Sequence, residues 1–262
     1  MSSFTSPLQF IRGLLACIAI PPLTAIVCLG TVMDVHFFRK SKSKAQQFPQ
    51  FWGRLLCRVA NIRVRMEGRE NLAPDKTYIF VGNHASMVDI FAFQGYISHD
   101  FRWIAKEELF SVPILGDAMR AVDFIPINRS HGRQAVQSLN NAATRIAEGS
   151  SVILFPEGTR SSDGRLQHFK TGAILLAIKA GVEVVPVGFN GTYQALPKGK
   201  QFSRGGEVVL RIGKPLSTKD FKAKDKQMLA HILQQRVAEL LDVCHRQLPE
   251  PEQQEKKETA AE

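Results

Sequence analysis

The sequence predicts an α/β fold: a mainly parallel sheet covered by helices, with an N-terminal membrane-inserted helical segment. Three observations carry this. From about Ile62 short apolar runs alternate with amphipathic stretches, the pattern of strands joined by crossover helices. Several of the runs are apolar throughout, as strands covered on both faces must be. And Leu14 to Met33 is twenty residues without a charge, about the length that crosses a bilayer core.

In chain order, the apolar run comes first. Pro21-Pro22 interrupts it. Proline lacks the backbone donor and clashes with the preceding turn, so the helix must kink or break. The outcome is a bent span or two short halves entering one leaflet. A buried soluble helix or a cleaved signal peptide would share part of the pattern, though no clear cleavage site follows the run. Arg39, Lys40, Lys42 and Lys44 follow it and Arg12 alone precedes it, which places the following domain on the cytoplasmic face. Each such charge contributes roughly 1 kcal/mol against anionic headgroups. Phe51, Trp52, Leu55, Leu56 and Val59 then recur at helical spacing with Arg54 and Arg58 between them. That helix lies either in the interface or docked on the domain core.

Ile62 to Met66 alternates apolar and charged residues as an edge strand does. Tyr78 to Gly82, Arg102 to Ala105, Val122 to Ile127, Val152 to Phe155, Val184 to Phe189 and Val208 to Ile212 are the further strands expected. Val88 to Ile97, Gly132 to Glu148 and Lys170 to Ala180 are the helices between, with Gly149 and Gly181 placed as C-caps. A last helix from Asp220 to about Arg246 carries the stripe Met228, Leu229, Ile232, Leu233, Val237, Leu240 and Leu241, with Ser217 and Asp220 as its capping box. The domains expected are an anchoring segment 1–60, an α/β domain 61–248 and a disordered acidic tail 249–262.

The net charge is +10; the tail from Pro249 holds five Glu and two Lys, so the remainder carries +13. Such a balance implies an anionic partner: nucleic acid, an anionic membrane or a phosphorylated substrate. No stretch interleaves aromatic and basic residues as a base-stacking surface would, so nucleic acid is not expected. The four cysteines form no CxxC pair and the seven histidines no metal-ligand spacing, so neither disulfide nor metal is expected.

Two stretches carry chemistry. NHASMVD, Asn83 to Asp89, follows the strand YIFVG, at the carboxyl end where open α/β sheets place ligands. His84 has the pKa to accept a proton near neutrality. A carboxylate on its other nitrogen fixes the tautomer, and Asp89 can do so if the chain turns between them. Ser86 to Asp89 also spells a capping box, so Asp89 could serve the helix alone. FPEGTR, Phe155 to Arg160, follows another strand. Gly158 leaves its backbone open to close approach, and Arg160 offers a planar fork suited to phosphate. Arg129 ends the FIPINR segment and Lys170 opens a helix, so several cations reach neighbouring strand ends. The imidazole and the Arg160 guanidinium are expected to share one pocket.

Together, NHASMVD, FIPINR, FPEGTR and the VVPV segment with Pro186 resemble the four blocks, in order, of the glycerolipid acyltransferase family. The pattern is closest to bacterial 1-acyl-glycerol-3-phosphate acyltransferases and covers roughly Arg65 to Ile212. The resemblance implies that His84 takes the proton from the sn-2 hydroxyl of a lysophospholipid, which attacks an acyl thioester without an acyl-enzyme, and that Asp89 orients and stabilises His84. It implies that Arg129, Glu157, Gly158, Thr159 and Arg160 bind the phosphate acceptor, with Lys170 beside them, and that Pro186 helps shape the acyl-binding region. The partners implied are lysophosphatidic acid, acyl-CoA or acyl carrier protein, and membrane lipids; no cofactor is needed, and the place is the cytoplasmic face of the inner membrane. Another lysophospholipid or a lyso-ornithine lipid would fit a related site. A Ser86-dependent hydrolase or thioesterase is the rival, though no GxSxG elbow is present.

Overall fold

The computed structural model describes residues 7–39, 42–128 and 132–243. The tail from 249 and the far end of the last expected helix lie outside them. The chain forms α1 (Pro7–His36), α2 (Lys42–Ala45), α3 (Gln47–Val59), β1 (Ile62–Glu67), β2 (Tyr78–Gly82), α4 (Val88–Tyr96), β3 (Arg102–Lys106), α5 (Leu115–Ala121), β4 (Ile125–Ile127), α6 (Arg133–Ala147), β5 (Val152–Leu154), α7 (Thr171–Ala180), β6 (Glu183–Asn190), α8 (Thr192–Ala195), β7 (Gly206–Ile212) and α9 (Lys226–Glu239).

The seven strands make one sheet in the order β1-β7-β6-β2-β5-β3-β4. From β6 to β4 every pairing is parallel. β7 runs antiparallel to β6 and pairs parallel with β1, so the edge pair opposes the rest. β2 and β5 lie at the centre, and the loops after them meet at one end of the sheet, the carboxyl end.

Alternation on β2 divides the core. Tyr78 and Phe80 pack with Cys57, Val88, Ala92 and Phe93 of α3 and α4. Ile79 and Val81 pack with residues of α6, α7 and α9. All five β2 residues are buried, which explains why the run YIFVG carries no polar position. On α9 the buried stripe is Leu229, Leu233 and Val237 at four-residue spacing, continued by Leu241. Met228 faces out, 55% exposed.

The expected capping box at Ser217 and Asp220 does not form. That stretch is irregular; Thr218 Oγ1 donates to the Val182 carbonyl, and the box forms later, with Asp225 accepting the Lys222 N–H at 2.8 Å. The expected strand from Val122 is also shortened to Ile125–Ile127. Asp123 sits at φ +68°, a conformation that ends α5 in a turn before the strand can start.

α1 runs without interruption through Pro21 and Pro22, so the two-halves alternative is not what forms. Ile18–His36 is long and apolar enough to cross a membrane, and only 22% of that window is buried, unlike the core helix of a soluble domain. α3 is docked on the core. Gly53 and Gly95 bring α3 and α4 together so closely that a Cβ on Gly53 would stand 2.6 Å from the Gly95 nitrogen. Trp52 meets Phe91 edge-on at 5.3 Å and donates to Thr24 of α1 at 3.0 Å. Phe51 alone of that stripe points outward, 52% exposed.

Candidate active site

His84 stands two residues beyond β2. Asn83 leads it out: its side chain accepts from the Phe189 N–H and donates to the Phe189 carbonyl, extending the β2–β6 ladder by one rung. The chain then turns over the start of α4, and Asp89, in the first turn, closes it. Its Oδ2 accepts from His84 Nδ1, from the Ala85 N–H and from the Ser86 N–H, each at 2.8 Å. An oxygen receiving two backbone donors cannot itself carry the shared proton, so Nδ1 holds it and Nε2 is left as the acceptor. The ring lies flat on Phe155, centroids 4.1 Å apart at 13°. Asp89 is fully buried and His84 is 14% exposed. The same carboxylate oxygen thus ties the turn ahead of α4 and fixes the imidazole.

Ser86 is fully buried. Its hydroxyl donates to the Leu196 carbonyl at 2.7 Å and accepts from the Val88 N–H at 3.1 Å. No bond joins it to His84, so the hydrolase rival lacks its nucleophile–base contact.

The FPEGTR loop lies directly against His84. Glu157 Oε1 accepts the His84 N–H at 2.8 Å, and the Ser161 N–H donates to the His84 carbonyl at 2.7 Å. Glu157, expected among acceptor ligands, turns inward instead. It is 2% exposed, and its Oε2 has no hydrogen-bond partner. Burial pushes its carboxyl up to about 9, and Asp89 nearby adds to this against the His84 backbone bond. Facing inward and bonded to the His84 N–H, Glu157 ties the FPEGTR loop to the His84 turn.

Gly158 takes φ +75°, with the Lys170 side chain over its open face: Nζ is 3.3 Å from where a Cβ would stand. Gly158, Thr159 and Lys170 are exposed and Arg160 half-buried. The expected cations Arg160 and Lys170 thus sit on one loop system with His84. Arg129 lies outside the described residues. Pro186 is not brought to these loops; it is buried within β6 opposite Val81, packed so that a Cβ on Gly213 would meet it at 2.7 Å.

Two cations escaped the sequence reading. Lys106 is the exposed last residue of β3, at the same carboxyl edge. Lys198 reaches the FPEGTR loop from beyond α8. Neither stands in a distinctive motif. A cleft of about 280 Å³ between α1 and α5, lined by Leu29, Val32, His36, Ile114, Asp117 and Arg120, shares no residue with these loops. The expectation of one pocket for His84 and Arg160 thus stands on the contact between their loops alone.

A mainly parallel sheet with a buried carboxylate–histidine pair at its carboxyl end and a cationic loop bonded to it suits group transfer, and by its family-model match and its solved relative the chain belongs to the acyltransferase family. Residues 63–190 match the family model described as Acyltransferase. Within it, the chain resembles the crystal structure of the 1-acyl-sn-glycerophosphate acyltransferase PlsC from Thermotoga maritima, at 30% identity and TM-score 0.74, covering 87% of this chain and 94% of that one. It is 38% identical over 181 residues to a 1-acyl-sn-glycerol-3-phosphate acyltransferase of Chlamydomonas reinhardtii, 68% of this chain and 54% of that protein. It is 27% identical over 184 residues to one of Borreliella burgdorferi, 70% and 74%. The chain spans about half the length of the algal relative and 65% of a chloroplastic one from Arabidopsis thaliana, 30% identical over 238 residues and 89% of this chain.

Proposed function

We propose that the protein is a 1-acyl-glycerol-3-phosphate acyltransferase, moving a fatty acyl group from acyl-CoA or an acyl carrier protein to the sn-2 hydroxyl of lysophosphatidic acid and giving phosphatidic acid. The observation that carries this is the 2.8 Å contact of His84 Nδ1 with Asp89 inside a loop bonded to FPEGTR. Nε2 takes the hydroxyl proton as the oxygen attacks the thioester carbonyl. The resulting imidazolium is stabilised by the Asp89 carboxylate, its nearest anion, in a site where burial strengthens the interaction. The proton then passes to the leaving thiolate, so His84 ends as it began. Arg160, with Thr159, Gly158, Lys170 and Arg129, holds the acceptor phosphate.

The apolar α1 anchors the chain in the inner membrane. The basic residues after it, such as Arg39 and Lys44, keep the α/β domain on the cytoplasmic face, where a lipid acceptor and a soluble acyl donor meet. The test is an assay of purified protein with a labelled acyl thioester and a panel of acceptors. Wild type should acylate lysophosphatidate, and Arg160→Ala should chiefly weaken acceptor binding. An unchanged acceptor dependence in Arg160→Ala, or no transfer to lysophosphatidate by wild type, would reject the assignment.

A further inference from the structure

We infer that Lys198 is a further specificity-determining residue, selecting acceptors that end in a phosphate monoester; the inference rests on the function proposed above. The segment after β6 folds back across both site loops. The Leu196 carbonyl takes the Ser86 hydroxyl on the His84 side. On the other side Tyr193 donates to the Ser162 carbonyl at 3.0 Å, and its ring fills the space over Gly164, where a Cβ would meet it at 2.7 Å. Lys198 follows. Its Nζ donates to the Arg160 carbonyl at 2.9 Å and lies 3.4 Å from Thr159 Oγ1.

The charge around this tip is unbalanced. Lys170 covers Gly158 and Lys198 holds the Arg160 and Thr159 oxygens, so two ammonium groups flank three consecutive exposed or half-exposed residues, one of them an arginine. Among the described residues none of these three cations has an ion-pair partner. Among the described residues some cations are paired, Lys76 with Glu183 at 3.0 Å and Arg211 with Glu67 and Asp242, and others such as Lys106 are in no ion pair; what sets this tip apart is that three such cations meet at one loop. Of the two carboxylates nearest in sequence, Glu157 is turned to the His84 N–H and Asp163 to the Ser161 hydroxyl and the Arg165 N–H. Like charges held together without a counter-ion repel, and an anion bound at the tip reverses the sign.

Lysine is a compact charge with three donors, and Lys198 spends at most two of them, both on uncharged oxygens. A terminal phosphate monoester presents more charge and more free oxygens than the phosphodiester of a lysophospholipid bearing a further headgroup. Lys198 therefore favours the first over the second, a choice that His84 and Asp89 cannot make because they act on the hydroxyl.

The experiment measures the full-length protein in mixed detergent–phosphatidylcholine micelles against lysophosphatidate and lysophosphatidylglycerol, with Lys198→Ala and Lys198→Arg. In Lys198→Ala the KM for lysophosphatidate should rise about tenfold or more, the scale of one charge-assisted bond. Its kcat and its KM for the acyl thioester should stay within about twofold, the preference over lysophosphatidylglycerol should shrink, and Lys198→Arg should restore it. A KM for lysophosphatidate that does not move in Lys198→Ala overturns the inference. So does a fall in kcat alone that arginine does not rescue, since a simple brace would give that. Wild type that acylates lysophosphatidate keeps the proposed function whatever Lys198 does, so the two readings fail separately.

Discussion

Glu157→Gln isolates a neutral acid inside the site. Burial is the main force that raises the carboxyl from an ordinary value of 4.5 to about 9. A folded-state value raised above the unfolded one means the folded chain binds the proton more tightly. Its contribution is complete below pH 4.5 and is lost as pH rises toward 9. Within that window each pH unit costs roughly 1.4 kcal/mol, so Glu157 alone lowers stability by roughly 3 kcal/mol between pH 6 and pH 8. Glutamine keeps an oxygen for the His84 N–H and does not titrate. Thermal unfolding of wild type and variant in the same detergent should therefore diverge with pH. At roughly 2–4 °C per kcal/mol, the variant should gain about 5–10 °C on wild type between pH 6 and pH 8. A difference in Tm that stays flat across that range would refute the neutral tether and return the carboxylate to the list of charged site groups.

His84→Ala removes the proton acceptor and should cut kcat by about 10²–10⁴-fold with little change in Tm; a smaller loss in a labelled-thioester assay would argue against the role. Asp89→Asn keeps an oxygen for the two backbone donors, so the protein should fold, but it loses the charge facing the imidazolium and should cut kcat by about 10²-fold or more. Ser86→Ala should keep most of its transfer activity, because the hydroxyl is spent on Leu196 and Val88; loss of activity without loss of Tm would revive the nucleophile.

Much of the architecture was legible because short, wholly apolar runs alternate with longer helical stretches. The run YIFVG has no polar residue because helices cover both of its sides, and that is visible in the letters. What escaped was where local rules compete. Asp123 takes a left-handed backbone and spoils a strand that apolar content alone allows from Val122. Ser217 and Asp220 have the right spacing for a box, but Thr218 is drawn to the Val182 carbonyl, a contact no local window contains. In the site, the five-residue step from His84 to Asp89 could be read directly, since the turn that joins them is short. The inward turn of Glu157 could not, because an acid beside glycine and arginine reads as a surface residue until the His84 backbone is known to lie behind it. Lys198 was illegible for the same reason: its neighbours are about forty residues back in the chain.

The double tie across His84, with Glu157 on its nitrogen and Ser161 on its oxygen, has a consequence for grafting. Neither stretch is a portable cassette. A chimera that takes Asn83 to Asp89 from one relative and Phe155 to Ser161 from another inherits two halves of a hinge cut for different pins. Exchanged as a matched set, the halves would keep their fit to one another.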